Sequence, residues 1–367
     1  MCGFYCSNIS YSLEEFKNRL SKINFRGPDS WDACNIDGIW FGHNRLAIID
    51  LHKRSNQPMF DDDLVIVFNG EIYNFIELRD DLISHGYKFK TKGDTEVILN
   101  LYKLYGIDFL KLINGMFSII IYDRKSKDLY CIKDRLGVKP LYYLFNKNGE
   151  FEICSQLFSI KNRNEIDLTS LKLYFDFGYV PSPYSIYKNI SKINPGEFLK
   201  YNLNSKSSDK KFYWSYPTRR TFFRFKKGLM NIKKIVENAI NIRLYSDAKK
   251  GIFLSSGVDS SVLASVCSEN SQEKILSFTV SFEGYSADES QDVLKNANYL
   301  NLDPKIIKFN AQEVIAYMDK MFDYFDEPFS DTASLPLLAM SKQYKKLATV
   351  SITGDGGDEL FLGYNQY

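Results

Sequence analysis

A cysteine stands second in the chain, directly after Met1. If Met1 were removed, Cys2 would carry its own α-amino group, and such an amine has a pKa of about 8, so part of it is unprotonated near neutral pH. The thiolate is the reactive form of cysteine, and an adjacent base can generate it. Cys2 could therefore serve as both nucleophile and proton acceptor. Judged on this dipeptide alone, an ordinary residue in a frayed terminus is the better interpretation.

Four further segments in the first half of the chain favour the catalytic interpretation. They are residues 26–29 (RGPD), 42–50 (GHNRLAIID), 68–74 (FNGEIYN) and 93–96 (GDTE). Together with Cys2 they resemble the glutaminase domain of class II, or N-terminal-nucleophile, glutamine amidotransferases. Four motifs in the right order are much more specific than any one of them.

By this resemblance, polar groups near the predicted strand ends form a glutamine site. Asn69 and Gly70 each offer an N–H group, and two donors beside a thiolate form an oxyanion hole, which stabilises the charge that develops on the attacked amide carbonyl. Arg45 would bind the α-carboxylate of glutamine with two N–H groups. Asp94, together with Glu71, would hold its α-ammonium group. Taken singly, Arg45 is explained equally well as a surface cation and Asp94 as a helix N-cap.

A second group of motifs lies in the last third of the chain. Residues 251–261 (GIFLSSGVDSS) combine an apolar strand, a loop of small residues and the start of a helix. Backbone N–H groups of such a loop, at a helix N-terminus, bind anions. The segment resembles the pyrophosphate loop of ATP pyrophosphatases, S-G-G-x-D-S, with Ser256 in place of the first glycine. A serine-rich turn is the alternative.

Two acidic segments resemble those of asparagine synthetases, namely residues 326–331 (DEPFSD) and 352–361 (ITGDGGDELF). The resemblance implies Mg²⁺ at Asp259 and Asp358, because carboxylate oxygens suit this ion. Glu327 would remove a proton as ammonia attacks an acyl-adenylate, and a capping or solvated acidic turn is the alternative. The residues expected to bind ATP and its pyrophosphate are Leu254, Ser255, Gly257, Asp259, Ser260, Val280, Gly354 and Asp355.

Hydrophobic periodicity predicts the elements that must position these residues. The elements predicted in the first half are strands at 64–68, 116–122, 129–132 and 198–201 and helices at 75–85 and 95–105. The first of these strands is expected to enter a tight turn at 69–70. The elements predicted in the second half are strands at 251–254, 276–282 and 306–309 and helices at 288–300 and 314–325. This alternation is typical of a parallel sheet with crossover helices, whose ligands bind outside the carboxyl ends of the strands.

The fold class that follows is an α+β N-terminal-nucleophile glutaminase domain, an αββα sandwich, and then an α/β ATP-pyrophosphatase domain with a parallel sheet. The first domain is expected at 2–200. The second is expected at 227–367, opening with a helix at about 227–243. Between them, 201–226 is expected to be a linker, because 202–211 is polar and rich in Ser and Lys.

The composition of the 367-residue chain excludes several classes of protein. Lys and Arg number 47 against 45 Asp and Glu, so no basic stripe indicates a nucleic-acid partner. No apolar run reaches about 18 residues and no secretory signal pattern is present, so neither a membrane partner nor export is expected. The six cysteines are scattered without a CxxC pair. That argues against a zinc site or a disulfide framework and favours a reducing cytoplasm.

These observations predict a ligase similar to glutamine-dependent asparagine synthetases, with glutamine, aspartate and ATP as small-molecule substrates. Glutamine would be hydrolysed at Cys2, and the ammonia would amidate an adenylated aspartate, with release of AMP and pyrophosphate. A homodimer is left open. The alternatives are amide formation on another carboxylate, such as a sugar acid, and a glutaminase without ligase activity. A phosphoribosyl or sugar-phosphate amidotransferase is less favoured, since it would leave loop 255–260 and Asp358 unexplained.

The sequence stops at residue 367, shortly after the second acidic segment. Members of the resembled family continue with a helical region that adds ATP-site and substrate-site residues, including a catalytic lysine. We therefore expect an incomplete second domain, and a chain that hydrolyses glutamine but forms amide product poorly.

Overall fold

The computed structural model describes residues 1–161, 163, 165–218, 224–271, 273–282 and 289–364. Contacts within it divide the chain into two units. Residues 1–218 and 324–331 form the first unit, and the described residues among 219–323 and 332–367 form the second. None of the helices in these described ranges combines the length and the apolar character that a membrane crossing requires.

Two six-stranded antiparallel sheets form the centre of the first unit. Their strands, in chain order, are β1 (Gly3–Ser7), β2 (Ser30–Ile36), β3 (Ile39–Arg45), β4 (Met59–Asp61), β5 (Leu64–Ile72), β6 (Gly115–Asp123), β7 (Asp128–Lys133), β8 (Tyr142–Phe145), β9 (Phe151–Cys154), β10 (Ser191–Lys192), β11 (Glu197–Asn202) and β12 (Ser207–Phe212). The first sheet has the order β10-β8-β9-β1-β3-β2, and the second has the order β12-β11-β7-β6-β5-β4.

Helices cover the outer faces of both sheets. The α-helices described in this unit are α1 (Leu13–Ser21), α2 (Phe75–Ser84), α3 (Asp94–Tyr105) and α4 (Leu168–Phe177). Single 3₁₀ turns or short 3₁₀ helices lie at Asn24–Arg26, Lys53–Ser55, Gly106–Lys111 and Leu157–Ser159. α1 begins at a capping box, in which Ser12 and Glu15 bond each other's backbone N–H groups and so satisfy two donors that the helix leaves open.

Three apolar clusters show that this unit has four layers. One cluster lies between the two sheets and includes Phe4, Phe41, Val67 and Ile120, which are fully buried. A second cluster joins α2 and α3 to the outer face of the second sheet, and a third joins α1 and α4 to the outer face of the first. This arrangement confirms the predicted αββα sandwich.

The predicted helices at 75–85 and 95–105 are confirmed as α2 and α3, and the predicted strands at 116–122, 129–132 and 198–201 as β6, β7 and β11. The predicted tight turn at 69–70 is wrong. β5 continues through Asn69 and Gly70, which pair with Ser118 and Phe117 of β6. Gly70 makes this possible, because a Cβ at that position would overlap the carbonyl oxygen of Met116.

The expected linker is also wrong over part of its length. Residues 207–212 form β12, which pairs with β11 along all six of its residues, from Asn202 with Ser207 to Glu197 with Phe212. Every residue of β12 is exposed. Polar composition therefore reflects an outer strand here, since such a strand needs only backbone hydrogen bonds to join a sheet.

A four-stranded parallel sheet forms the centre of the second unit. Its strands are β13 (Lys250–Phe253), β14 (Leu276–Phe282), β15 (Asp303–Phe309) and β16 (Val350–Ile352), in the order β15-β14-β13-β16. The helices are α5 (Phe225–Asn241), α6 (Val258–Glu269), α7 (Ser290–Tyr299), α8 (Ala311–Ile315), α9 (Met318–Met321), α10 (Ser334–Tyr344) and α11 (Gly357–Phe361). α6 and α7 pack on one face of the sheet, and α8 and α10 on the other. The predicted parallel α/β domain is confirmed.

The predicted helix at 314–325 is wrong in its second half. α8 and α9 end at Ile315 and Met321, and residues 324–331 belong to the first unit. There Asp326 and Glu327 accept hydrogen bonds from backbone N–H groups of residues 157 and 186, which hold this segment away from helical pairing. The predicted helix at 288–300 is α7, and its expected first residue, Asp288, lies outside the described residues.

Candidate active sites

Cys2 is fixed at the start of an inner strand. It leads directly into β1, which lies between β3 and β9. The Cys2 Sγ accepts a hydrogen bond from the Leu46 N–H at 3.4 Å and lies 3.6 Å from the Leu46 carbonyl oxygen. The Arg26 Nε–H donates to the Cys2 carbonyl oxygen at 3.0 Å. The thiol therefore has a defined position and a backbone N–H that can stabilise its thiolate.

The RGPD segment explains how the neighbouring loop is held. Gly27 packs so closely on β3 that a Cβ there would overlap the Asn44 carbonyl. The Asp29 N–H donates to the Arg45 carbonyl oxygen at 3.0 Å, and its Oδ2 accepts from the Ala47 N–H at 2.8 Å. These contacts position the residues that face Cys2.

A cleft with about 370 Å³ of empty space opens beside the thiol. It is lined by Cys2, Arg45, Gly70, Glu71 and Asp94, among other residues. Residues that are up to 92 positions apart in the sequence thus meet at one surface, as the motifs predicted. A thiol, a cation, a glycine N–H and two carboxylates facing one cleft suit a small zwitterionic ligand that carries an electrophilic carbonyl.

Asn69 has an amide group without a hydrogen-bond partner among the described residues. Its side chain is fully buried, and both Nδ2 and Oδ1 lack a protein partner. A buried amide left unpaired costs about 1–3 kcal/mol, so such a group points to a ligand. Asn69 neighbours Gly70 in the strand that enters the cleft, which is the arrangement that an oxyanion hole requires.

We predict that Gly70→Ala destabilises the first unit. The new methyl group would overlap the Met116 carbonyl and displace one of two paired central strands. The free energy of unfolding should fall by about 1–3 kcal/mol. Urea unfolding followed by tryptophan fluorescence measures this, and an unchanged midpoint with an unchanged slope would show that the strands can separate at no cost.

Arg45 is held inside the loop that follows β3. Its two terminal nitrogens donate to the carbonyl oxygens of Ile49, Asp50 and His52 and to Oδ1 of Asn56, at 2.6 to 3.2 Å. These bonds occupy the four N–H groups of the terminal nitrogens and leave the Nε–H and the positive charge for a ligand. The predicted two-point clamp does not fit this arrangement, whereas charge attraction for a carboxylate does.

Two carboxylates that lie close to each other line one part of the cleft. Asp94 is the first residue of α3, and its Oδ2 accepts from the Ile72 N–H at 3.0 Å. Burial raises the pKa of Asp94, and burial together with the nearby Asp94 charge raises the pKa of Glu71. Two buried carboxylates that repel each other are stabilised by a cation between them, so this part of the cleft suits an ammonium group.

The terminal residue of the chain is tied to a buried lysine. Lys139 is 1% exposed, and its Nζ contacts the Sδ of Met1. Burial lowers the pKa of the Met1 α-amine to about 5, and burial raises the pKa of the Cys2 thiol. A buried thiol of raised pKa remains protonated near neutral pH, so a nucleophile at this position requires a base.

In the second unit, the small-residue loop follows β13 and leads into α6. The Ser255 and Ser260 hydroxyls bond each other at 2.8 Å, and the Gly257 N–H donates to Ser255 Oγ at 3.2 Å. Ser256 is not among the residues with positive φ, so a side chain is accommodated where the resembled motif has glycine. Its N–H donates a hydrogen bond to Glu289 Oε2 at 3.1 Å. A backbone N–H of this loop thus binds a carboxylate oxygen.

The order of the parallel strands places this loop where ligands bind in such sheets. From β13 the chain crosses to β14 and β15 on one side, and β16 lies on the other side of β13. The loops after β13 and β16 therefore flank the point at which the strand order reverses, where a crevice opens. They carry Ser255 to Ser260 and Gly354 to Asp358, the two predicted nucleotide-binding segments. Val280, near the end of β14, lies in the next strand.

Close packing brings the two segments together. A Cβ on Gly357 would overlap the Asp259 carboxylate, and one on Gly354 would lie 3.3 Å from the Asp259 Cβ. Thr353 donates to Asp355 Oδ2 at 2.8 Å, which orders the second loop. No cluster of three or more His, Cys, Asp and Glu side chains that could hold a metal occurs among the described residues. An ion here would depend on phosphate oxygens and water for most of its ligands.

Both halves of the chain match known families. Residues 1–214 match the family model of the glutamine amidotransferase domain, and residues 231–367 match that of asparagine synthase. A Methanocaldococcus jannaschii protein, provisionally named asparagine synthetase (glutamine-hydrolyzing) 2, is 36% identical over 396 residues, which cover 99% of this chain and 76% of that protein. The chain belongs to the glutamine-hydrolysing asparagine synthetase family.

Two further relatives of this asparagine synthetase family member are named a synthetase and an amidase. Asparagine synthetase (glutamine-hydrolyzing) 1 of Bacillus subtilis is 32% identical over 378 residues, covering 100% of this chain and 59% of that protein. Amidase chyE of Penicillium rubens is 29% identical over 376 residues, covering 97% of this chain and 56% of that protein. The chain thus spans between 56% and 76% of the length of these curated relatives.

Glu327 of this asparagine synthetase family member lies in the first unit. Its carboxylate accepts from the Tyr142 hydroxyl at 2.9 Å and the Ile186 N–H at 2.8 Å, and it forms an ion pair with Lys192 at 2.5 Å. Three partners hold the carboxylate as an acceptor. Its expected role as a base for the second reaction remains a prediction.

Sequence reasoning missed several residues of the first site. Gln57 lines the cleft, Lys139 contacts Met1, and His43 Nε2 lies 3.1 Å from the Phe68 carbonyl oxygen. Gln57 precedes β4 and Lys139 precedes β8, so neither is near Cys2 in the sequence. The structure identifies these residues because they are polar and buried. Lys139, for example, is only 1% exposed.

Proposed function

We propose that this protein is a glutamine-dependent asparagine synthetase. Glutamine is hydrolysed at Cys2, and the ammonia amidates an aspartate that ATP has activated as its adenylate. The products are glutamate, asparagine, AMP and pyrophosphate. The family assignment supports the use of ATP for amide formation, and the cleft supports glutamine as the nitrogen donor.

The observation that carries the proposal is the cleft beside Cys2. It combines a fixed thiol, one cation at Arg45 and two carboxylates at Glu71 and Asp94. The unpaired buried amide of Asn69 belongs to the residue before Gly70, which lines the cleft. Glutamine has complementary groups: an electrophilic amide carbonyl, an α-carboxylate and an α-ammonium group. The cation and the carboxylates of the cleft thus suit an α-amino acid, and the thiol is the group that would attack its side-chain carbonyl.

The proposed reaction at Cys2 begins after Met1 is removed. The new α-amine takes the thiol proton, and the thiolate attacks the side-chain carbonyl carbon of glutamine. Asn69 and the Gly70 N–H stabilise the oxyanion. The amine then returns the proton to the leaving nitrogen, ammonia departs, and water hydrolyses the γ-glutamyl thioester to glutamate. Arg26 holds the Cys2 carbonyl throughout, so the nucleophile keeps its direction.

The proposed reaction of the second unit uses the loops after β13 and β16. Backbone N–H groups at Ser255 to Ser260 bind the departing pyrophosphate. Asp259 and Asp358 are the residues that would hold Mg²⁺, which would neutralise phosphate charge when bound. Ammonia attacks the acyl carbon of the aspartyl adenylate, AMP leaves with the C–O bonding pair, and the attacking nitrogen gives up a proton to a base.

Product analysis tests the whole proposal. Purified protein is incubated with glutamine, aspartate, ATP and Mg²⁺, and glutamate, asparagine, AMP and pyrophosphate are quantified. Equal yields of asparagine and AMP are expected. Glutamate release without formation of AMP would contradict the ligase proposal.

We predict that Asp259→Asn lowers AMP formation by roughly 10²-fold or more, because a lost metal ligand removes several kcal/mol of stabilisation from a phosphate-rich transition state. Asp319→Asn is the matched control, since Asp319 is an exposed carboxylate of α9. Glutamate release in the same samples reports the integrity of the first unit. An Asp259→Asn protein that forms AMP at the unmodified rate would remove Asp259 from the site.

Amide formation on a different carboxylate is the second candidate. It is favoured by the Penicillium rubens relative, which covers 97% of this chain and is named an amidase and not a synthetase. The nucleotide loops would be the same and the acceptor pocket would differ. Screening carboxylic acids, including sugar acids, for AMP release separates the two candidates, and a better acceptor than aspartate would replace it in the proposal.

We also propose a cytoplasmic location. The six cysteines are free thiols, and four of them are buried. Free cysteines are the usual state in a reducing compartment.

A further inference from the structure

β5, the strand proposed to supply the oxyanion hole, is paired along only part of one side. β5 pairs with β6 along its whole length, but β4 covers only Leu64, Val65 and Ile66 on the other side. Beyond that point the backbone groups of Phe68 on this side have no strand partner among the described residues. If these N–H and C=O groups were unpaired, this part of the strand could shift. Such a shift would also move Asn69, which directly follows Phe68.

Two side chains replace the missing strand. Gln57 Oε1 accepts from the Phe68 N–H at 2.6 Å, and His43 Nε2 lies 3.1 Å from the Phe68 carbonyl oxygen. Because a carbonyl only accepts, His43 must carry its proton on Nε2 and donate it. His43 Nδ1 is buried and has no hydrogen-bond partner in the described part of the chain, and burial lowers the pKa of His43 to about 3. A neutral imidazole in one tautomer thus holds the carbonyl, and a side-chain amide holds the N–H.

Gln57 also connects this peptide to the opposite wall of the cleft. Its Nε2 donates to Thr95 Oγ1 at 3.2 Å, and Thr95 follows Asp94 at the start of α3. Gln57 and Thr95 are 6% and 5% exposed, and both line the cleft. One side chain therefore links the strand that binds the oxyanion to the helix end that faces the ammonium group.

We propose that Gln57 and His43 are positioning residues for glutamine hydrolysis, which fix the Phe68 peptide so that Asn69 and the Gly70 N–H face the oxyanion. This inference rests on the proposed glutaminase function. Neither residue contacts the reacting atoms. They act by removing the freedom of the strand, so their effect falls on the transition state and little on the binding of glutamine.

Two reactions of Cys2 separate positioning from general damage. Hydrolysis of glutamine passes through an oxyanion, whereas alkylation of the thiolate by iodoacetamide displaces iodide and forms none. Gln57→Leu should lower kcat for glutamine by about 10–100-fold, because a donor displaced by about 1 Å costs about that much. KM should change by less than about threefold, and the alkylation rate by less than about twofold.

Conservative variants complete the test. His43→Gln keeps an N–H donor near the Nε2 position and should retain most of the activity, whereas His43→Leu should behave like Gln57→Leu. Thr95→Val preserves the bond from Gln57 to Phe68 and cuts the link to α3, so a loss of about three- to tenfold is expected. This milder change remains informative if Gln57→Leu does not fold.

The results decide between the alternatives directly. Parallel losses of hydrolysis and alkylation, or kcat within about threefold of the unmodified protein in Gln57→Leu and His43→Leu, would overturn the positioning role. An unmodified protein whose Cys2 is alkylated but which releases no glutamate from glutamine would overturn the proposed function, and this inference with it.

Discussion

Replacement of Cys2 by alanine should abolish glutamate release from glutamine, with a loss of at least about 10⁴-fold. No other group at the cleft can form the thioester, and removing a nucleophile from a covalent mechanism leaves only binding and charge stabilisation. The measurement is glutamate formation by the purified variant. Residual turnover within tenfold of the unmodified protein would mean that another group attacks the amide.

Two controls make the Cys2 result specific. Cys34→Ala removes a half-buried thiol from β2 and should leave glutamate release unchanged. Ammonia supplied directly should restore amide formation to Cys2→Ala, because only the nitrogen source is lost. Intact mass should show that the active protein begins at Cys2. An active protein that retains Met1 would contradict the amine as the base.

The second large effect is expected at Asn69. Asn69→Ala should lower kcat for glutamine by about 10²–10³-fold with a much smaller change in KM, because the lost donor acts only when negative charge develops on the carbonyl oxygen. Steady-state kinetics with glutamine measures both constants. Asn35→Ala, at an exposed position of β2, is the matched control.

The same variant has a stability signature. The Asn69 amide is buried and lacks partners among the described residues, so its removal also removes a desolvation penalty. Unfolding of Asn69→Ala should therefore show little loss of stability. A change in kcat below about threefold would remove Asn69 from the oxyanion hole, and a large drop in stability with a proportional loss of active protein would assign it a packing role.

Local patterns were sufficient to predict α2, α3, β6 and β7. The two helices carry apolar residues at helical spacing, and the two strands are short apolar runs that the fold buries. They failed at Asn69 and Gly70, where Asn-Gly is typical of a turn but the close approach of the Met116 carbonyl selects a strand. A contact between strands decided that conformation, and such a contact is not encoded in the residues on either side.

The candidate site likewise contains residues that the sequence identified and residues that only the fold revealed. Cys2 and Asp94 could be named from the sequence because the motifs around them resemble those of a known family, and both line the cleft. Gln57 was not, because it acts through Phe68, 11 residues away, and Thr95, 38 residues away. Lys139 is separated by 138 residues from the Met1 sulfur that it contacts. A supporting residue becomes visible only when the fold shows which backbone group it completes.

Three of the four outer strands of the two sheets in the first unit have features that oppose self-association. β10 and β4 are two and three residues long, and β12 is exposed throughout, with Asp209, Lys210 and Lys211 among its six residues. Free N–H and C=O groups along a sheet margin can recruit a strand from another chain and start amyloid-like growth, and short or charged margins oppose this. The Ser- and Lys-rich composition of 202–211, which resembles that of a linker, therefore opposes edge-to-edge pairing between copies of the chain.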